Sequence, residues 1–272
     1  MDWQDLGELD GQILLFGGPY SNLEATRAMR AEAARRGIPA GHAICTGDVV
    51  AYCGDPAATV REIRDWGCHV VAGNCERQLA GGAGDCGCGF EEGSRCDGLS
   101  VAWFHHADRQ IGRDDRAWMG TRPGMIAFTH AARRYAVVHG GLSDISRFLW
   151  PNSPSADFAE EIALIEAQAG PVDAVIAGHC GLAFARRAGR VEWLNAGAIG
   201  MPPNDGDPQT RYLLLDRGQP GIRRLSYDAR AARDAMRRAG LIHGYDTALV
   251  RGYWPSEEVL PPDLRRAATA SG

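Results

Sequence analysis

Residues 42–77, HAICTGDVVAYCGDPAATVREIRDWGCHVVAGNCER, decide how this chain folds. Two short apolar runs, 43–46 and 69–72, each end in a glycine followed by a polar side chain: Gly47 with Asp48, and Gly73 with Asn74. A Val- and Ile-rich run that stops at such a pair reads as a buried parallel strand presenting the polar group at its C-terminal edge. Between the runs, Ala57, Val60, Ile63 and Trp66 recur at helical spacing. The segment is therefore a strand, crossover helix and strand, and Asp48 and Asn74 face one crevice. Ligands of open α/β sheets bind at that edge.

Upstream, 12–16 reads as a strand and 23–36 as a helix, with Asn22 as its N-cap and Gly37 and Pro39 ending it. Downstream, 79–99 is rich in glycine and lacks periodicity, which marks a loop inserted in a compact domain. Helices are predicted over 99–106, 114–119, 156–167 and 228–238. Strands are predicted over 125–129, 135–139, 174–177, 182–186, 191–194, 212–215 and 222–227. One domain spanning 1–250 accounts for these signals, with a Pro- and Gly-containing tail at 251–272 that should wrap the surface or be disordered.

Composition narrows the function classes. The 272 residues are 45% apolar with a formal charge of −5, which supports one sizeable core and gives no nucleic-acid footprint. The Arg pairs at 35–36, 133–134 and 237–238 are short and separated, so they read as solvated faces. No run approaches the roughly 20 apolar residues of a membrane span, and the acidic N-terminus has no signal-peptide pattern. A cytoplasmic protein with no membrane or nucleic-acid partner is the default expectation; oligomeric state is not legible. Eight cysteines are too sparse for a disulfide scaffold in a chain this long. They read as core residues, Cys45 and Cys68 above all, or as ligands.

Two more strand ends match the first pair: His139 before Gly140, and His179 after Gly178. A carboxylate, an amide oxygen and two imidazoles form a mixed oxygen and nitrogen shell suited to Zn, Mn or Fe. Soft thiolates offer another possibility, because Cys53, Cys75 and Cys180 lie close in sequence to these groups and Cys86, Cys88 and Cys96 lie in the glycine-rich loop. A cysteine-ligated metal or an iron-sulfur unit is the chemistry they would serve, although their spacing is not that of a zinc ribbon.

The order of these motifs resembles the calcineurin-like metallophosphoesterases over about residues 12–216. That family's pattern is D-x-H, G-D, G-N-[HC]-[DE], a His before Gly, and G-H-x-H. The pieces here are Gly18-Pro19-Tyr20, Gly47-Asp48, Gly73-Asn74-Cys75-Glu76, His139-Gly140 and Gly178-His179-Cys180-Gly181. Asn195 to Pro202, NAGAIGMP, is similar to the N-P-G-S-x-G-x-P of the phosphodiesterase-like branch. The resemblance implies an αββα sandwich of two mixed sheets flanked by helices, and metal-dependent hydrolysis of a small-molecule phosphoric ester. Family members bind two ions. The residues implied for one of those sites are all present, as Asp48, Asn74, His139 and His179. The other keeps only Asp48, because Gly18, Tyr20 and Gly181 replace its remaining ligands.

The resemblance further implies a catalytic part for Asp48, Cys75 and Tyr20, whose phenol could donate to a phosphoryl oxygen or fill the vacated ion volume. Asn22 and Arg147 are expected to bind substrate, Arg147 through its planar fork, and Glu76 to support the ligands from behind. The competing reading is a non-hydrolytic thiol-metal, redox or sensor protein on the same scaffold.

Overall fold

The computed structural model describes residues 2–266. Strand β1 (Trp3–Glu8) precedes β2 (Ile13–Phe16), α1 (Leu23–Arg35), β3 (Ala43–Cys45), α2 (Pro56–Trp66), β4 (His69–Val70), α3 (Asn74–Gly81), α4 (Arg95–Gln110) and α5 (Arg113–Gly120). The chain continues through β5 (Met125–His130), β6 (Arg133–Val138), α6 (Ser155–Ala169), β7 (Ala174–Ala177), β8 (Ala183–Ala188) and β9 (Val191–Ala196). It ends with β10 (Thr210–Asp216), β11 (Gln219–Leu225), α7 (Ala229–Arg238) and α8 (Tyr245–Arg251).

Two mixed sheets result, with strand orders β1-β5-β6-β7-β9-β8 and β11-β10-β2-β3-β4. Within them, β2, β3 and β4 run parallel, as do β6, β7 and β9. Each sheet is apolar on both faces, so three cores stack. Ile13, Leu15, Ile44, Phe128, Tyr135, Val137, Ile176 and Leu194 fill the space between the sheets. Met29, Val60, Ile63 and Leu79 seal the outer face of the smaller sheet under its helices. Phe158, Ile162 and Ile165 of α6 cover the larger one. This is the αββα sandwich that the motif order implies.

Several boundaries differ from the sequence reading. The helix expected at 99–106 runs Arg95–Gln110 with Ser94 as its N-cap, accepting from the Asp97 amide at 3.1 Å. Since α3 closes at Gly81, the open loop shrinks to 82–94. Strand β1 had no legible signal, because it is an edge strand with mostly exposed side chains. Helix α8 forms just before the tail, where no helix was expected. Within the tail Leu260 is buried, and the Trp254 indole donates to the Pro202 carbonyl at 2.7 Å, so part of it packs into the core. The last stretch of that tail, 267–272, lies outside the described residues. All three Arg pairs find carboxylates: Glu32 for Arg35 and Arg36, Asp5 for Arg134, Glu192 for Arg133 and Asp246 for Arg237.

Candidate metal centre

Four polar groups from four elements converge at the C-terminal edges of the parallel strands. Asp48 follows β3, Asn74 opens α3, His139 follows β6 and His179 follows β7. The His139 Nε2 lies 3.0 Å from Asn74 Oδ1, 3.1 Å from His179 Nδ1 and 3.3 Å from Asp48 Oδ2. Ligand atoms of Asp48, His139 and His179 all fall within 4.8 Å of one another.

Local backbone chemistry aims these groups. Asp48 and His179 adopt left-handed φ values of 54° and 60°, a conformation that costs roughly 1 kcal/mol for a side-chain-bearing residue and is tolerated where the surroundings impose it. Gly47 at φ 100° is the hinge beneath Asp48. A Cβ there would sit 2.6 Å from the Gly73 nitrogen and 2.8 Å from His139 Nδ1, so only glycine lets these strand ends close up. Glu76, fully buried, accepts from the Asp48 and Gly73 amides at 2.8 Å and from the Val49 amide at 2.9 Å. It thereby fixes the turn that carries Asp48. Burial and the neighbouring Asp48 push its carboxyl up to about 7.

A cation fits this set. His139 Nδ1 lies 2.6 Å from the Thr46 carbonyl, which can only accept, so Nδ1 carries a hydrogen and Nε2 is the free coordinating atom. The Asn74 amide nitrogen donates to the Cys86 carbonyl at 2.8 Å, turning Oδ1 toward the centre. Lone pairs of Nε2, an amide oxygen and a carboxylate thus meet at about 3 Å, which is repulsive unless a proton or a metal cation lies among them. His179 presents Nδ1 to the same point, 3.1 Å from His139 Nε2. Burial would raise the Asp48 carboxyl, but the His139 and His179 rings hold it below its ordinary range. Burial and His139 push His179 down to about 3, keeping it neutral as a ligand must be.

The three departures from the family motif have a joint explanation in space. The Tyr20 ring lies over Gly18, where a Cβ would collide with it, and the Tyr20 hydroxyl is 3.9 Å from the Cβ position of Gly181. One phenol therefore covers both glycines and occupies the room beside them. Burial, with Asp48 second, raises Tyr20 well above its usual value, so it remains a neutral donor.

Other expected site residues fall elsewhere. Asn22 is buried, capping α1 through the Ala25 amide at 3.0 Å and donating to the Gly200 carbonyl at 3.0 Å, so it is committed to structure rather than substrate. Arg147 lies 2.7 Å from both Glu160 and Glu161 and 3.5 Å from Asp157, which leaves its fork no free face for a phosphate. Cys75 is fully buried. Its amide donates to Asp48 Oδ1 at 3.3 Å, while burial and Asp48 raise its thiol far above the range where a thiolate forms.

No thiol site assembles among the described residues. Cys86 and Cys88 are joined as a disulfide, Cys53 bonds the Gly200 carbonyl, Cys180 bonds the Leu182 carbonyl, and Cys96 of α4 lines the same cavity as Cys180 without joining a cluster of metal-ligating groups. Residues of those types pack wherever a small apolar group fits, and proximity in sequence said nothing about their directions. Cys45 and Cys68 are core residues.

Sequence reasoning missed the surroundings of the centre. Tyr52, Phe90, Phe148, Trp150, Tyr245 and Trp254 wall a cavity of about 50 Å³ that reaches the centre at His179 and Tyr20. They are scattered from 52 to 254 and share no motif. Glu161, fully buried, accepts from the Leu142 and Ser143 amides and holds the loop carrying Phe148.

Comparisons with known proteins bear on the fold and the family. A metallophosphoesterase from Sphaerobacter thermophilus superposes with a TM-score of 0.69 at 19% identity, covering 90% of this chain and 100% of that one. The hypothetical protein PH1004 from Pyrococcus horikoshii OT3 does so with 0.72 at 14% identity, covering 90% and 99%. At such identities the likeness establishes the fold. A search of curated proteins gives no match. The model of the calcineurin-like phosphoesterase superfamily domain matches residues 21–219, so the chain belongs to that superfamily.

Proposed function

We propose that this protein is a metal-dependent phosphoric ester hydrolase working with a single cation held by Asp48, Asn74, His139 and His179. The observation that carries the reading is the meeting of a carboxylate, an amide oxygen and two imidazole nitrogens around His139 Nε2. A divalent transition ion such as Zn, Mn or Fe, when bound, supplies Lewis-acid polarisation of a phosphoryl oxygen and lowers the pKa of water.

The chain's own groups do the rest. Asp48 contributes the charge and His139 a neutral ring oriented by Thr46. Asn74 and His179 complete the grip without adding charge. Tyr20, protonated and lining the cavity, donates to a phosphoryl oxygen in the position where the family's second ion would otherwise neutralise it. The aromatic walls exclude water and strengthen both interactions. The substrate is a small phosphoester.

The test is release of alcohol or phosphate from a panel of mono- and diesters by protein loaded with Mn, Zn or Fe. Turnover that disappears in Asp48→Ala supports the reading. No turnover on any ester with any of the three ions overturns it. It would favour a non-hydrolytic binding or sensor role, a reading that the Tyr20 ring lying over Gly18 also supports.

A further inference from the structure

The cavity beside the ion site has aromatic walls and no charged lining. Tyr52 meets Tyr20 edge-on at 4.8 Å and packs on Tyr245 at 4.7 Å. Phe148 lies 4.3 Å from the His179 ring and stacks on Trp150 at 5.2 Å, 2° from parallel. Trp254, its indole nitrogen satisfied by Pro202, and Phe90 of the 82–94 loop, whose ring stacks on Phe148 at 6.2 Å, complete the lining. The cavity's volume of about 50 Å³ leaves room for roughly three to five waters, or a single flat ring.

Charge narrows the ligand further. No Asp, Glu, Lys or Arg lines the cavity, and the sequence contains no lysine. Arg147, next to Phe148, is bound by Glu160 and Glu161. A divalent ion on Asp48 and three neutral ligands leaves one net positive charge. A phosphodiester carries one negative charge and balances it. A phosphomonoester carries close to two near neutral pH and would leave a negative charge uncompensated in apolar surroundings, which is strongly unfavourable. Glu76, buried behind Asp48, can only lower the positive charge on offer, so the dianion is the worse matched of the two ligands in either case.

We propose that the site takes a phosphodiester monoanion with one flat apolar ring as a substituent, and discriminates against phosphomonoesters. The ring sits in the cavity lined by Phe90, Phe148 and Trp254, and the phosphoryl group reaches the ion past Tyr20. This rests on the single-ion reading above and adds the substrate class to it.

Calorimetric titration of Zn-loaded protein at pH 7.5 with diphenyl phosphate, dimethyl phosphate and phenyl phosphate tests it without turnover. Burying one ring predicts binding of diphenyl phosphate at least about 10-fold tighter than dimethyl phosphate, and charge balance predicts the same margin over phenyl phosphate. Trp254→Ala should reduce the diphenyl-to-dimethyl ratio below about 3-fold and Trp254→Phe should restore it. Phe90→Ala, on the loop, provides the same loss of ratio if Trp254→Ala does not fold. Equal binding of diphenyl and dimethyl phosphate, or of diphenyl and phenyl phosphate, overturns the proposal, as does an unchanged ratio in the folded variants. Hydrolysis of bis(4-nitrophenyl) phosphate is measured in parallel. The predicted binding pattern without hydrolysis sinks the enzyme reading and leaves the ring seat standing, whereas hydrolysis without the pattern sinks the seat alone.

Discussion

Replacing Glu76 by Gln changes one atom type in a side chain that touches no substrate, yet it should disable the centre. Both Glu76 oxygens accept backbone amides, Oε2 from Asp48 and Gly73 and Oε1 from Val49. A glutamine keeps one acceptor oxygen and turns an NH2 group toward an amide N–H. If the oxygen stays with Asp48 and Gly73, the Val49 amide loses its partner and faces a donor, at a cost of about 1–3 kcal/mol for the unsatisfied buried group. The two remaining bonds fall from charge-assisted to neutral, a loss of about 1 kcal/mol each. The sum, about 3–5 kcal/mol, corresponds to a drop of about 6–20 °C in melting temperature, at about 2–4 °C per kcal/mol in a domain of this size. Because the Asp48 amide is what Glu76 anchors, Zn affinity should fall about 10–100-fold. Differential scanning calorimetry and metal titration at pH 8 measure both. A variant melting within 2 °C of wild type (a threshold set well below the predicted drop) with unchanged Zn affinity would refute the claim that Glu76 builds the Asp48 turn.

Four further outcomes are expected. Tyr20→Phe should lower ester turnover about 10-fold while leaving Zn affinity within a factor of about 2, which parallel kinetic and calorimetric measurements would show; an equal loss in both would instead make Tyr20 part of the ion site. Arg147→Ala should cost about 2–3 kcal/mol of stability, because fully buried Glu161 loses its ion pair, with KM unchanged; a raised KM would return Arg147 to the substrate. Chelation of an ion present at 100 times its dissociation constant should remove about 2.7 kcal/mol, lowering the melting temperature by about 5–11 °C; no shift would mean that no ion is held by the folded state. Glu32, brought down to about 2 chiefly by its bond to Arg35, with Arg36 and Tyr212 adding to it, stabilises the protein above its unfolded value near 4.5, and that contribution vanishes as pH falls through about 2. Glu32→Gln should therefore lower stability by about 1 kcal/mol at pH 7, after allowance for the exposed Arg35 partner, and the difference should disappear in acid. A difference that persisted at pH 2 would break the link to ionisation.

The four converging polar groups were legible because each ends a buried strand. Apolar runs stopping at Gly47-Asp48, Gly73-Asn74, His139-Gly140 and Gly178-His179 report both the strand and the polar group it delivers, and all four groups meet in space. Arg147 and Asn22 were misplaced because a sequence position near a site does not say where a long or capping side chain points. Arg147 turned to Glu160 and Glu161, and Asn22 to the first turn of α1.

By itself the sequence determined the strand-helix-strand order and the four polar groups at its strand ends, since backbone periodicity and side-chain chemistry are local properties. It also determined which residues of the family motif are missing. Only the tertiary structure decided what stands in their place. Tyr20 swings over Gly18 toward Gly181, and aromatic residues from 52 to 254 close around one small cavity. The physical reason is that packing joins groups by distance rather than by order along the chain, so neither the direction of a side chain nor the lining of a cavity has a signature in any single stretch.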